Sequence, residues 1–211
     1  KVDLDKTLGA VESMLADGAD IIDIGGESTR PGASPVTTQQ ELDRVLPVIE
    51  AVKTRFDALI SVDTSTAEVI TAASAAGAHL INDVRALQRE GALEAAVAAS
   101  LPVCLMHMQN QPKSMQSNPT YKDVVTEVLD FLQQRKQACL TAGIASEQIL
   151  LDPGFGFGKT LQHNLALCHA LDRFVDTGQS LLLGVSRKTM IGQLLDPNFD
   201  DRLIGSVTMA L

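Results

Sequence analysis

Asp63, Asn82 and Asp152 each follow directly on a short apolar run. A carboxylate at the end of a buried run needs hydrogen-bond partners, or its pKa shifts upward. Each residue also has a plain local reading: Asp63 as a helix N-cap, Asn82 as an Asx-turn, Asp152 as a turn residue before Pro153. Together they form a polar ring on one face of a sheet. The stretch from Asp152 to Thr160, DPGFGFGKT, adds a glycine-rich loop carrying Phe155 and Phe157. It is not a nucleotide P-loop, because the first glycine of that pattern falls on Pro153. Its alternating glycines allow close approach to a flat ligand. Residues 25–32, GGESTRPG, form a second such loop. Its backbone N–H groups, Thr29 and Arg30 suit phosphate oxygens, although a surface loop reads the same way. Ser186-Arg187-Lys188 places further cations at a strand end. His107 reads as structural, and His79, His163 and His169 as structural or exposed.

These residues must be held by some scaffold, and the apolar runs supply it. Asp20–Gly26, Leu59–Ser65, His79–Val84, Val103–Met108, Ile149–Gly154 and Ser180–Ser186 are short, rich in Ile, Leu and Val, and bounded by Gly, Pro or polar residues. That is the pattern of strands covered on both faces. Amphipathic stretches lie between them, among them Leu42–Phe56 and Val124–Ala142. Gly18, Gly77 and Gly143 suit left-handed helix ends. Thr38 with Glu41 and Ser65 with Glu68 fit capping boxes. Alternating strands and helices predict a parallel sheet. Nearly every run ends in polar residues, which favours a (β/α)₈ TIM barrel over a doubly wound sheet. Strand ends recur about every 33 residues, so eight units need roughly 260 residues. The expected architecture is therefore a barrel with about six strands visible, without its first and last strands, as a single domain over 1–211. The segment Gly205–Leu211 reads as the beginning of a helix.

Composition narrows the function classes. The chain has 211 residues, 45% hydrophobic and 20% charged, as globular domains do. Lys+Arg 17 against Asp+Glu 26 gives a net charge of −9. That sign disfavours nucleic acid and anionic membrane as partners. Trp is absent and Tyr121 is the single tyrosine, so base-stacking platforms are not expected. No apolar run has the length of a membrane span. Cys104, Cys139 and Cys168 lack zinc spacing and read as thiols in a reducing, cytoplasmic setting.

In their order, IIDIGGESTRPGA, SVDTS, INDV, CLMHM, LDPGFGFGK and GVSRK resemble the bacterial dihydropteroate synthase family. The resemblance runs through essentially the whole chain. It implies a (β/α)₈ transferase of folate biosynthesis and a sulfonamide target. Such enzymes join 7,8-dihydropterin-6-ylmethyl diphosphate to 4-aminobenzoate, with Mg²⁺, giving dihydropteroate and diphosphate. It implies that Asp63, Asn82, Asp152 and Lys188 bind the pterin, with Met106 against the ring. The pterin's amino and ring N–H groups suit carboxylates and an amide, and its carbonyl suits Lys188. Thr29 would contact the diphosphate, and Arg30 and Lys188 would act at the reacting centre. Pro31, Gly156, Phe157 and Ser186 would frame the aminobenzoate. A homodimer is also implied.

Two motifs of the family are absent from this sequence: an Asn-x-Thr-x-Asp-Ser-Phe run, whose Asn reaches Mg²⁺, and a last-strand Arg-x-His pair. No metal ligand is therefore assigned among the 211 residues, and the chain as given is open to being inactive. A pterin-binding methyltransferase domain shares the Asp and Asn contacts but has no use for the STRP loop. A non-catalytic pterin-binding fragment predicts binding without turnover. Pro153 argues against a nucleotide-hydrolysing enzyme.

Overall fold

The computed structural model describes residues 2–30, 32–111, 114–195 and 202–210. Six strands form one parallel sheet: β1 (Ile21–Gly25), β2 (Leu59–Asp63), β3 (Leu80–Asp83), β4 (Val103–Met106), β5 (Ile149–Asp152) and β6 (Ser180–Leu181). Their spatial order is their sequence order. Because the order never reverses, right-handed crossovers carry the helices that connect the strands to the same face, and the described strands have no topological switch point. This is the wall of a TIM barrel, and the sheet of described residues does not close on itself. The six predicted runs are all strands, trimmed at their ends. The last shortens most, to Ser180–Leu181, with Leu182 still donating its N–H to Leu151 at 3.0 Å.

The helices are α1 (Leu4–Ala16), α2 (Thr38–Arg55), α3 (Ala67–Ala76), α4 (Ala92–Ala99), α5 (Val124–Ala142), α6 (Leu161–His169), α7 (Leu171–Val175), α8 (Thr189–Leu194) and α9 (Leu203–Ala210). Two-residue alternation sends Ile22, Ile24, Ile60, Val62, Leu105 and Leu151 into the core. There they meet Val45, Ile49, Ile70 and Leu132 from the helices. The opposite face carries Asp23, Asp63, Asn82, Cys104, Met106 and Asp152.

Helix ends follow the sequence in part. Gly77 and Gly143 close α3 and α5 in the left-handed conformation. Gly18 lies one residue beyond the α1 cap, Asp17, with φ +96°. The capping boxes differ from expectation. Thr37 with Gln40 caps α2, and Thr66 begins α3 without a side-chain bond. The displaced residues have other partners. Glu41 is buried and accepts hydrogen bonds from Thr64 and Thr66. Ser65 donates to Asp83, which also accepts the N–H groups of Arg85 and Leu87 at 2.8 and 2.7 Å. Arg85 donates to Ser65 at 2.9 Å and pairs with Glu27 at 3.0 Å, while Arg89 lies 3.5 Å from Glu27. These bonds tie the loops after β1, β2 and β3 together beneath the strand ends.

Asp83→Ala removes the acceptor for three donors around a fully buried carboxylate. Each unsatisfied buried donor costs about 1–3 kcal/mol. The expected loss is on the order of 3–5 kcal/mol, read as a lower denaturation midpoint with an unchanged m-value.

Candidate active site

Backbone register sets the first arrangement. Asp63 stands opposite Asn82, Asn82 opposite Cys104, and Met106 opposite Asp152. All point to the helix-free face, so acceptors from β2, β3 and β5 share that face with the Met106 thioether. Met106 is 4% exposed and Asp152 5%. A flat heterocycle with several N–H donors fits that chemistry. The Asn82 amide donates to Asp23 at 3.3 Å, which leaves its oxygen available as an acceptor.

Loops after three strands build the second part. Thr29 and Arg30 after β1, Gly156 and Phe157 after β5, and Ser186 and Lys188 after β6 line one cavity of about 1170 Å³. Asp63, Asn82 and Asp152 lie outside that lining, on the sheet face. Lys188 connects the two parts. Its ammonium donates to the Phe155 carbonyl at 2.7 Å and lies 4.4 Å from the Phe157 ring centre. The Asp152 charge acts on it as well. Pro31 lies outside the described residues.

The glycine loop is shaped by its glycines. Gly154 has φ +70°, and a Cβ there would fall on the His107 carbonyl oxygen. The Gly154 N–H donates to the Asp152 carboxylate at 2.7 Å. The Gly156 N–H donates to Asn164 at 2.8 Å, and Gln116 donates to the Gly156 carbonyl.

Burial sets the electrostatics. It pushes Asp63 up to about 7, and the charges of Asp23, Asp83, Glu27 and Glu41 add to it. Burial also raises Asp152 to about 6, opposed by the Gly154 N–H and by the Lys188 and Lys159 charges. Desolvation lowers Lys188, against the attraction of Asp152. Both carboxylates are thus costly to ionise, and ligand N–H donors would relieve that cost.

The structure adds residues that the sequence reading left without a role. Lys159, inside the glycine loop, is buried beside His107. Asp83, Glu41 and the Glu27–Arg85 pair support the loops from the helix side. Asp83 alone carried a usable signal: it adjoins Asn82 in a strand, so alternation sends the two side chains to opposite faces. His107 is structural as expected, 6% exposed and edge-on to Phe131 at 5.0 Å. His79 accepts the Ile60 N–H, and His163 accepts the Thr160 N–H in the α6 capping box. Among the described residues, no group of three or more His, Cys, Asp or Glu could hold a metal ion. Also among them, no helix is long and apolar enough to cross a membrane.

Comparison with known proteins is consistent along the whole length. The model of a family described as pterin binding enzyme matches residues 1–211. The dihydropteroate synthase of Haemophilus influenzae is 57% identical over 208 residues, 99% of this chain and 76% of that protein. A crystal structure of Yersinia pestis dihydropteroate synthase with a sulfonamide drug complex superposes with TM-score 0.95 at 55% identity, covering 99% of this chain and 76% of that one. Xanthomonas albilineans dihydropteroate synthase, solved with 4-aminobenzoic acid, gives TM-score 0.93 at 43% identity, covering 100% of this chain and 75% of that one.

The raised Asp152 pKa has a consequence for stability. An unfolded aspartate titrates near 3.9. The folded protein therefore holds this proton more tightly than the unfolded chain between about 4 and 6. Stability contributed by Asp152 is greatest below about pH 4 and falls as pH rises to about 6. Asp152→Asn keeps an acceptor for Gly154 and carries no charge. It is expected to raise the melting temperature at pH 8, equivalent to roughly 1–3 kcal/mol. The gain should shrink toward pH 4 in thermal melts across that range.

Proposed function

The chain belongs to the pterin-binding enzyme family, and we infer that its activity is that of dihydropteroate synthase: a transferase of folate synthesis and a sulfonamide target. The observation that carries the reading is the joining of two sites by one side chain. A ring of acceptors on the sheet face lies at the root of the loops that line the cavity, and Lys188, in that lining, is near enough for the Asp152 charge to act on it.

In the proposed reaction the bond between the pterin methylene carbon and the diphosphate oxygen breaks, and the diphosphate takes the electron pair. The aminobenzoate nitrogen then bonds to the methylene and releases its proton. Asp63, Asn82 and Asp152 hold the pterin N–H groups, and Met106 supports the ring. Lys188 offers its ammonium to the pterin carbonyl. Thr29 and Arg30 receive the leaving anion, and Arg30 is exposed at the cavity, where a mobile anion can reach it. Phe157, Gly156 and Ser186 frame the aminobenzoate ring, with Pro31 assigned beside them. Positioning both rings and stabilising the leaving group is sufficient for this chemistry, and no covalent nucleophile is needed.

The reading includes Mg²⁺, which binds proteins through one or two carboxylates together with substrate phosphates. The described residues assemble no set able to hold the ion by themselves. Their fit is to the diphosphate, and no step here runs through the metal. A cytoplasmic location and a homodimer belong to the same reading, with small molecules as the only other partners.

The test is formation of dihydropteroate from both substrates, together with calorimetric titration of pterin-6-carboxylate. Asp63→Ala is expected to weaken pterin binding at least about 100-fold, the loss of a charge-assisted hydrogen-bond set. In the unaltered chain, affinity should fall as pH drops from 8 to 5, because Asp63 and Asp152 take up protons near 7 and 6. Pterin binding without product would support the non-catalytic reading. Methyl transfer from methyltetrahydrofolate would support the methyltransferase one.

A further inference from the structure

Lys159 is 3% exposed, yet its ammonium lies within hydrogen-bond distance of four acceptors. They are the His107 imidazole Nδ1 at 2.9 Å, the His107 carbonyl at 3.2 Å, the Gly154 carbonyl at 2.9 Å and the Phe157 carbonyl at 3.0 Å. Two of these carbonyls belong to the glycine loop, and the other two acceptors belong to the residue that follows β4. A buried ammonium is expensive unless its protons are all engaged. Here lone pairs converge on it from both sides of the loop, so the side chain ties the loop to the end of β4.

The carbonyls it holds bracket the segment that faces the cavity. Gly154 precedes and Phe157 ends a turn closed by the Phe157 N–H on the Gly154 carbonyl at 3.1 Å. With Gly154, Gly156 and Gly158 all at positive φ, the segment has little stiffness of its own. Side-chain support is sparse: Lys188 holds the Phe155 carbonyl, Asn164 the Gly156 N–H, Gln116 the Gly156 carbonyl and Tyr121 the Gly158 carbonyl. Lys159 is the support that spans the whole turn. It also couples the turn to the end of β4, as the Asp152 carboxylate couples Gly154 to the end of β5.

We propose that Lys159 is a positioning residue for the aminobenzoate subsite: by gripping the Gly154 and Phe157 carbonyls against His107, it fixes the Phe157 ring over the cavity. The hydrogen bonds of Lys159 go to the loop and to His107, and it acts on the sheet-face Asp152 through its charge alone, so its removal should fall on aminobenzoate more than on the pterin. His107 supports the arrangement as a neutral imidazole. Burial and the neighbouring ammonium hold it down to about 3, which leaves one ring nitrogen free to accept, and Nδ1 is the one that faces Lys159. An arginine is a poor substitute, since its planar fork is wider than the ammonium this enclosure fits. The assignment of the cavity to aminobenzoate rests on the function proposed above, whereas the grip on the loop does not.

The experiment uses the full chain and the variants Lys159→Met and Lys159→Gln, with two readouts. Amide hydrogen exchange across residues 154–158 reads the grip directly. In Lys159→Met it should be at least about tenfold faster, with the amides of β2 to β5 unchanged. Steady-state kinetics read the consequence. The KM for aminobenzoate should rise at least about tenfold, because displacement of a positioning group by an ångström is that costly, while the KM for the pterin diphosphate changes less than about threefold. Lys159→Gln, which keeps two N–H donors, should fall between. Unchanged exchange, an equal rise in both KM values, or loss of the cooperative unfolding transition in both variants overturns the inference. If the unaltered chain gives no dihydropteroate, the function proposed above fails, and hydrogen exchange still decides the role of Lys159.

Discussion

A parallel ladder brings the carboxyl ends of all its strands to one rim, and the site depends on that. Gly25, Asp63, Asn82, Cys104 and Leu150 stand in one row across five strands, because each pairs with the next. Residues more than a hundred positions apart in sequence thereby share a face without any side-chain contact arranging it. The loops that leave this rim inherit the same alignment. Thr29, Phe157 and Lys188 meet at one cavity because β1, β5 and β6 point the same way.

The rim also puts polar groups where water is scarce, and its two faces manage this differently. On the helix side most of the demand is met internally, with Arg85 Nε left without a partner among the described residues. Asp83 accepts three hydrogen bonds, Glu41 accepts two, and the Glu27–Arg85 pair closes over Ser65. On the open side the demand is left for a ligand. Asp152 has a single backbone partner, Gly154, and Asp63 sits among four other carboxylates that raise its proton affinity. Saturated polar groups hold the loops in place. Unsaturated ones, on the same strands, create affinity for N–H donors.

Glycine and lysine divide the work in the loop after β5. The glycines let the backbone turn tightly and pass against the His107 carbonyl, at the expense of stiffness. Two buried or half-buried ammonium groups restore it. Lys159 binds the Gly154 and Phe157 carbonyls and Lys188 the Phe155 carbonyl. The Phe157 ring lies against the second of these, so one cation both orders the loop and faces the ligand space.

The sequence by itself determined the six strands, their parallel arrangement and the polar ring, because apolar runs and two-residue alternation are local signals. It also determined which loops are rich in glycine and which residues there could meet an anion or a flat ring. It misassigned helix caps, since Thr37 and Thr38, or Ser65 and Thr66, are equivalent in composition and only backbone geometry chooses between them. Burial was the larger omission. Nothing local marks Lys159 as enclosed or Glu41 as an acceptor beneath the loops, because His107 lies 52 residues from the first and Thr64 23 residues from the second. The raised proton affinities of Asp63 and Asp152 have the same origin. Desolvation raises both, neighbouring carboxylates add to it at Asp63, nearby lysine charges oppose it at Asp152, and only the assembled fold brings those together.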